Sequence, residues 1–320
     1  MRSQDTILLT GASGFLGAAL FDSLSKKYRV VPMGRRVLAS VNEDEQCVVD
    51  FSCYDSERGE FPLGVTTVIH SAARVHVMNE KGSDAIQLYR QINVNFSLAL
   101  AKRAHLAGAK RFIFISSIKV SGESTSGQAP FSESDKCRPE DAYGISKLEA
   151  EIALRDFSKQ SGLDVVIIRP PLIYGPGVKA NFNSLIKLAK LPAPLPFGAV
   201  KNYRSMVYLG NLVDLIIRCI DHPSAANETF LVSDGTDVSL RSLLTMMRSA
   251  MGRSSRLVPV PVGLFKLAGA LTGKRGVVDR LVGDLQVDSS KACSLLSWVP
   301  PYAVEQGIAA TVADFISKDK

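Results

Sequence analysis

Short apolar runs alternate with longer stretches of helical spacing over the first half of the chain. Thr6-Ile7-Leu8-Leu9-Thr10 is a compact apolar run ending in glycine, the pattern of a strand buried on both faces. Phe15 to Leu24 follows at helical spacing. Further strands are predicted at Arg29–Met33, Gln46–Asp50, Thr66–His70, Arg111–Ser116 and Asp164–Arg169. Between them lie a long helix over about Asp84 to Ala107 and another over Ala142 to Ser161. Strands alternating with helices of this length predict an α/β fold, a doubly wound parallel sheet of Rossmann type. Ligands in such sheets sit at the carboxyl ends of the strands.

The texture changes after Arg169. Prolines and glycines crowd residues 170–198, which reads as loop and short helix. Val207 to Ile220 has a strand-like start and an apolar helix, Thr229–Ser233 is another strand, and the remainder is mostly helical. Pro259 to Leu271, interrupted by Pro261, Gly263, Lys266 and Gly269, reads as a buried or amphipathic helix. No repeat or low-complexity segment interrupts the chain.

Thr10-Gly11-Ala12-Ser13-Gly14-Phe15-Leu16-Gly17 joins the first strand to the first helix. Glycines there let the backbone turn tightly and approach a pyrophosphate, and the helix start supplies free N–H groups. Gly11, Ser13, Gly14, Phe15, Leu16 and Gly17 are therefore candidate cofactor contacts. The expected organisation is a dinucleotide-binding domain over 1–170, completed by parts of 205–235, and a smaller, mostly helical substrate lobe over 171–320. Dinucleotide folds usually place an acid at the end of the second strand to hold the ribose hydroxyls. Here Gly34-Arg35-Arg36 stands instead. Arginine forks suit a 2′-phosphate, so Arg35 and Arg36 favour NADP, with NAD the alternative; as solvated loop residues they would carry no such meaning. Asp50, with Phe51 after it, could accept from the adenine amino group or cap a turn. Ala72 and Ala73, after His70-Ser71, are small enough for backbone to lie against a dinucleotide, although packing alone also explains them.

Bulk properties narrow the classes. With 320 residues, 46% hydrophobic and 22% charged, the chain has the composition of an ordinary globular enzyme. It holds no apolar run long enough to span a membrane. No signal peptide fits ahead of the first strand. A net charge of +7 suits an anionic ligand, and part of it serves solubility. There is no basic run with interleaved aromatics, which argues against nucleic acid. Cys47, Cys53, Cys137, Cys219 and Cys293 form no CxxC pair, and the four histidines do not cluster. The pattern predicts reduced thiols, a cytoplasmic location and no metal site.

Tyr143-Gly144-Ile145-Ser146-Lys147 puts a phenol and an ammonium four residues apart, on one side of the predicted helix. A lysine beside the tyrosine is expected to lower the phenol's pKa and make Tyr143 a usable acid or base. Ser117, after the fifth strand, can hydrogen-bond a substrate carbonyl or hydroxyl, and Ser116 precedes it toward the cofactor side. Together these groups would polarise a carbonyl while hydride arrives from a nicotinamide.

These residues resemble the extended short-chain dehydrogenase/reductase family, in its nucleotide-sugar epimerase/dehydratase branch. The match rests on TGASGFLG at 10–17, Ser117, the Tyr143–Lys147 pair and Arg169-Pro170-Pro171-Leu172-Ile173-Tyr174-Gly175-Pro176, and runs over nearly the whole chain. The resemblance implies a Rossmann domain binding NAD(P), with Asn93 and Pro170 near the cofactor, and a C-terminal lobe that grips a UDP-sugar. It puts Arg204 at the substrate diphosphate and Asn181 in the same pocket, and relatives often form homodimers through two long helices. Dehydratases of the branch carry an Asp-Glu pair just after the serine or threonine; here Ile118 and Lys119 stand there, which disfavours dehydration. Val120-Ser121-Gly122 departs from the Val-Tyr-Gly of many epimerases. The whole sequence looks most like reductases of UDP-4-keto-6-deoxy-N-acetylhexosamines in O-antigen precursor synthesis. A UDP-glucose or UDP-N-acetylglucosamine 4-epimerase is the alternative, and a non-catalytic NADP(H)-binding module a third class that the intact Tyr–Lys pair disfavours.

Overall fold

A computed structural model describes residues 5–75, 83–273 and 275–319. Its main sheet contains β1 (Thr6–Thr10), β2 (Arg29–Gly34), β3 (Cys47–Val48), β4 (Val65–His70), β5 (Arg111–Ile115), β6 (Asp164–Arg169) and, skipping two strands of the C-terminal half, β9 (Thr229–Leu231). The order across the sheet is β3-β2-β1-β4-β5-β6-β9, and every pairing is parallel. The winding direction reverses between β1 and β4, where Thr10 sits level with His70. The glycine turn and the Ser71-Ala72-Ala73 segment therefore flank one crevice at the strands' carboxyl ends.

Helices cover both faces, which is why the strands are continuously apolar. On one face α1 (Phe15–Leu24) packs with α6 (Leu209–Asp221). Leu16, Leu20, Leu212 and Ile216 join Ile7, Leu9, Ile113 and Ile168 in one core cluster. On the other face α2 (Ser83–Arg90), α3 (Ser97–Leu106) and α4 (Ala142–Ser161) lie together. There Phe96, Leu100, Ala150 and Leu154 meet Leu8, Val68, Phe112 and Ile167. The period-2 alternation of the strand residues thus feeds two cores. The carboxylate of Asp141 caps the start of α4 by accepting from the Gly144 amide at 2.7 Å, and Gly162, at φ 78°, ends it.

The remaining elements are β7 (Leu172–Tyr174), α5 (Ala180–Lys190), β8 (Met206–Tyr208), α7 (Leu240–Ala250), α8 (Val262–Leu271), α9 (Arg275–Val282), α10 (Ser290–Leu296) and α11 (Val304–Lys318). β7 and β8 pair in parallel as a separate two-stranded sheet. Tyr174, Phe182, Met206, Leu244 and Ile308 belong to a third core cluster, which serves the C-terminal half.

Four local expectations need revision. The third strand shrinks to Cys47–Val48, because the Asp50 carboxylate accepts from both the amide (2.8 Å) and the hydroxyl (2.7 Å) of Ser52 and turns the chain away. The long helix is interrupted by a π-helical stretch at Gln91–Phe96. Residues 170–198 hold, besides the expected loop and helix, a short strand at Leu172–Tyr174. Finally, α8 has the apolar make-up of a buried helix, but among its residues Gly269 alone is buried.

Candidate active site

Each glycine of the first turn has its own steric reason. Gly11 adopts φ +75°, and a Cβ there would meet the Ala72 amide nitrogen and the Ser71 hydroxyl at 2.8 Å. A Cβ on Gly17 would lie 2.0 Å from the Gly11 carbonyl oxygen, so Gly17 lets the helix sit against the strand. A Cβ on Gly14 would meet the Gly11 oxygen at 3.1 Å and no other residue. Gly14 and Ser13 are exposed, and Gly14 begins α1 with no side-chain cap. This is an open cradle of helix-start amides, the donor set a pyrophosphate requires. A dinucleotide fits it: Gly11, Ser13, Gly14, Phe15, Leu16 and Gly17 line the turn.

Arg35 and Arg36 are exposed just beyond β2. Arg35 lies over the Phe51 ring at 6.0 Å, and its charge helps hold the Asp50 carboxyl below its ordinary range, after the Ser52 hydrogen bonds that are the main cause. Phe51 is buried and stacked on Phe96 at 4.1 Å. Ala72 is buried, with its amide donating to the Thr10 hydroxyl at 3.1 Å, and Ala73 is partly exposed beside it. Asn93 sits in the π-helical stretch and is fully occupied. Its Oδ1 accepts from the Arg74 amide (2.8 Å), and its Nδ2 donates to the Arg74 carbonyl (3.1 Å) and the Ser146 hydroxyl (2.9 Å). Asn93 thereby ties the loop after β4 to the helix that carries Tyr143 and Lys147.

Tyr143 stands in the first turn of α4 and Lys147 one turn later. Lys147 is buried, its Nζ 3.9 Å from the centre of the Phe114 ring, and burial pushes its pKa down to about 7 against the opposing pull of Glu151. The Tyr143 phenol is pushed up to about 12 by burial and by the Asp141 charge, while a hydrogen bond from Ser117 opposes the rise. The expected lowering of the phenol by Lys147 is thus not seen, and the phenol is raised instead. Burial, followed by the Asp141 charge, sets the direction of the phenol's shift. Ser117 is extended after β5, and its hydroxyl accepts weakly from the Lys119 amide at 3.3 Å. The Ser116 hydroxyl donates to Glu151 at 2.5 Å, and the Pro170 carbonyl accepts from the Ile118 amide at 3.0 Å. Lys119, where dehydratases have an acid, ion-pairs with Asp141 (2.6 Å) and Glu123 (2.8 Å).

In the C-terminal lobe, Arg204 donates from Nη1 to the carbonyls of Arg280 (2.6 Å) and Gly283 (3.3 Å), at the end of α9. Burial lowers its pKa, offset by the charges of Asp284 and Glu123. Glu123 therefore senses Arg204 on one side and grips Lys119 near Ser117 on the other. Asn181 lies in the first turn of α5, and its side chain falls outside the described residues.

Two buried networks were not foreseen. Arg169, at the end of β6, grips the buried Glu151 through Nε (3.0 Å) and Nη2 (2.7 Å), beneath Ser116 and Lys147. Glu151 lies four residues after Lys147, the helical neighbour position, and that spacing was the available signal. His70 is wholly buried between the Thr10 hydroxyl (2.6 Å) and the Ser97 hydroxyl (2.8 Å), and burial depresses its pKa to about 3, keeping it neutral.

A doubly wound sheet with a glycine cradle at its switch point, a Tyr–Lys helix and a serine between them defines a nicotinamide-dependent enzyme of the extended short-chain dehydrogenase/reductase type. Residues 7–233 match the model of the NAD dependent epimerase/dehydratase family, and the chain belongs to that family. A "UDP-glucose 4-epimerase" of Vibrio cholerae is 46% identical over 318 residues, covering 98% of this chain and 97% of the relative. An "N-acetyl-alpha-D-glucosaminyl-diphospho-ditrans,octacis-undecaprenol 4-epimerase" of Escherichia coli O157:H7 is 26% identical, covering 97% of this chain and 95% of its own. Among solved structures, a UDP-glucuronic acid 4-epimerase from Bacillus cereus in complex with NAD superposes with a TM-score of 0.75 at 21% identity, covering 98% of this chain and 100% of that one. At that identity the likeness speaks for the fold.

Proposed function

We propose that the protein is a UDP-hexose 4-epimerase that recycles its own NAD. The observation that carries this reading is the 46% identity, end to end, with a 4-epimerase, over a chain that keeps the full serine, tyrosine and lysine set. It displaces the 4-ketoreductase expected first from the sequence. A bound nicotinamide would take the hydride from the sugar's carbon 4 and return it, and in its oxidised form would add a positive charge beside the phenol. Tyr143 would remove the proton from the C4 hydroxyl and return one to the 4-keto oxygen once the sugar ring has turned, the inversion coming from the hydride meeting the opposite face of C4. Ser117 would hydrogen-bond the same oxygen, and Lys147 would hold charge against the phenolate. Gly11, Ser13, Gly14, Phe15, Leu16 and Gly17 would hold the pyrophosphate. Asp50, Phe51, Ala72, Ala73, Asn93, Ser116 and Pro170 would line the rest of the cofactor, Ser116 through its backbone. Arg204, with Asn181, would face the UDP diphosphate, so that residues 1–170 and parts of 205–235 carry the dinucleotide and the rest of 171–320 carries the sugar.

One observation favours a second reading. No acid stands at the end of β2, and Arg35 and Arg36 are exposed there. A charge-assisted hydrogen bond from either to a 2′-phosphate is worth about 1.5–3 kcal/mol, roughly ten- to a hundredfold in affinity. That would suit an NADPH-consuming 4-ketoreductase. The protonated Tyr143 phenol is also already the form that donates to a ketone. Purified protein incubated with UDP-glucose, or with UDP-N-acetylglucosamine, and no added reductant should interconvert the C4 epimers. If it fails to do so, yet consumes NADPH stoichiometrically with a 4-keto sugar and loses its NADPH preference in the Arg35→Ala/Arg36→Ala variant, the reductase reading replaces the first.

A further inference from the structure

α8 poses a packing problem. A helix apolar on all sides normally lies inside a protein. Here Leu264, Leu267 and Leu271 are 55%, 56% and 79% exposed, one above another at helical spacing. Val258 before the helix and Val277 in α9 are also exposed. The inward side is anchored to the body by Phe265, stacked on Phe197 at 5.3 Å, while Gly269, whose missing Cβ admits Val278, packs α8 against α9. The hairpin is thus held to the body by one side while presenting leucines outward.

Charge identifies what covers them. Residues 238–283 contain eight lysines and arginines and a single acid, Asp279. With 38 cations and 31 acids in the whole chain, the other residues hold thirty of each. The entire net charge of +7 therefore belongs to the segment that carries the exposed leucines. Of its described cations, Arg253, Arg256, Lys266, Arg275 and Arg280 are exposed. A second copy docked symmetrically on this face would set one positive surface against its duplicate. An anionic lipid surface complements it, with leucines entering the acyl boundary and cations meeting the headgroups. No described helix is long and apolar enough to cross a membrane, so the contact lies in the interface plane.

We infer that the α8–α9 hairpin docks this protein on anionic phospholipid membranes. The inference is independent of whether the enzyme is an epimerase or a reductase. Docking would set the cleft at the lipid surface, because Arg204 is held by the carbonyls that close α9. The test is flotation of the full-length protein with vesicles of phosphatidylcholine alone or mixed with phosphatidylglycerol. The parent should float with the anionic vesicles at least tenfold more than with the neutral ones, and release as salt rises. Leu267→Ser/Leu271→Ser and, separately, Lys266→Glu/Arg275→Glu should each lower that binding at least tenfold, with thermal melting and turnover of soluble substrate unchanged to show an intact fold. Absence of parent binding to anionic vesicles overturns the proposal, as does equal binding to both vesicle types. A change of oligomeric state in the leucine variant, seen by sedimentation, would assign the face to contact between copies and also overturn it.

Discussion

The dinucleotide half and the C-terminal lobe reach order by different means. In the first, parallel ladders run register by register from β3 to β6, and the chemistry hangs from strand ends and from one twenty-residue helix. In the second, Arg204 is placed by isolated bridges to Val238 and Leu285, Val287 by one to Phe131 of the first half, and Leu195 and Phe197 by single contacts to Leu257 and Pro259. Repetition makes the first half insensitive to any single ladder bond. The lobe depends on contacts made once, across long stretches of chain. Damage in the first region should therefore strike chemistry or global stability, and damage in the second should strike substrate affinity.

The sharpest probe of this contrast is Tyr143→Phe. Turnover should fall by about 10²–10⁴, the usual worth of a positioned acid or base, with cofactor binding and melting temperature kept. Activity within about tenfold of the parent would remove Tyr143 from the chemistry. Next is Glu151→Ala. It leaves the Arg169 guanidinium buried without its carboxylate, which costs about 3–5 kcal/mol. Urea unfolding should show the loss, and Glu151→Gln should recover part of it. In the lobe, Arg204→Ala should raise KM for the UDP-sugar by roughly ten- to a hundredfold, the scale of one charged hydrogen bond, with cofactor affinity and unfolding midpoint nearly unchanged. A large stability loss there would show that the carbonyls closing α9 matter more to Arg204 than substrate does.

The smallest effect is read by pH. His70 is held neutral down to about pH 3, whereas an unfolded histidine protonates near 6.5. Between those values the unfolded state binds the extra proton, so stability falls as pH drops from 6.5. The loss from this residue should be about 2 kcal/mol by pH 5. Comparing urea unfolding of the parent and His70→Gln at pH 6.5 and pH 5 isolates it. Equal slopes in the two proteins would mean that His70 is not the group involved.

The same contrast decides what was legible in the sequence. The ends of α4 and β6 were readable to the residue, because Asp141 caps the helix, Gly162 stops it and the apolar run of β6 is uninterrupted. The glycine turn and the Tyr143–Lys147 pair were readable because their spacing is their geometry. The π-helical stretch was not. It arises where Asn93 reaches Arg74 on one side and Ser146 on the other, contacts fixed by tertiary structure. The behaviour of Tyr143 and Lys147 was misjudged because spacing reports nearness, whereas their pKa values follow burial. The outward leucines of α8 could not be told from inward ones, since a short helix apolar on every side has no periodicity to orient it.

The loop after Ser117 is fastened late in the chain: the Thr125 amide donates to the Asp284 carbonyl, the Phe131 amide to the Gln286 carbonyl, and the Asp288 amide to the Phe131 carbonyl. A ribosome delivers these partners more than 150 residues apart. The nascent chain can wind its first strands and close the glycine turn early, since synthesis proceeds at only about 5–20 residues per second. The loop after Ser117, by contrast, must wait about 8–30 seconds for its fastening to emerge. During translation, the glycine turn can therefore close before the loop beside Ser117 is fastened.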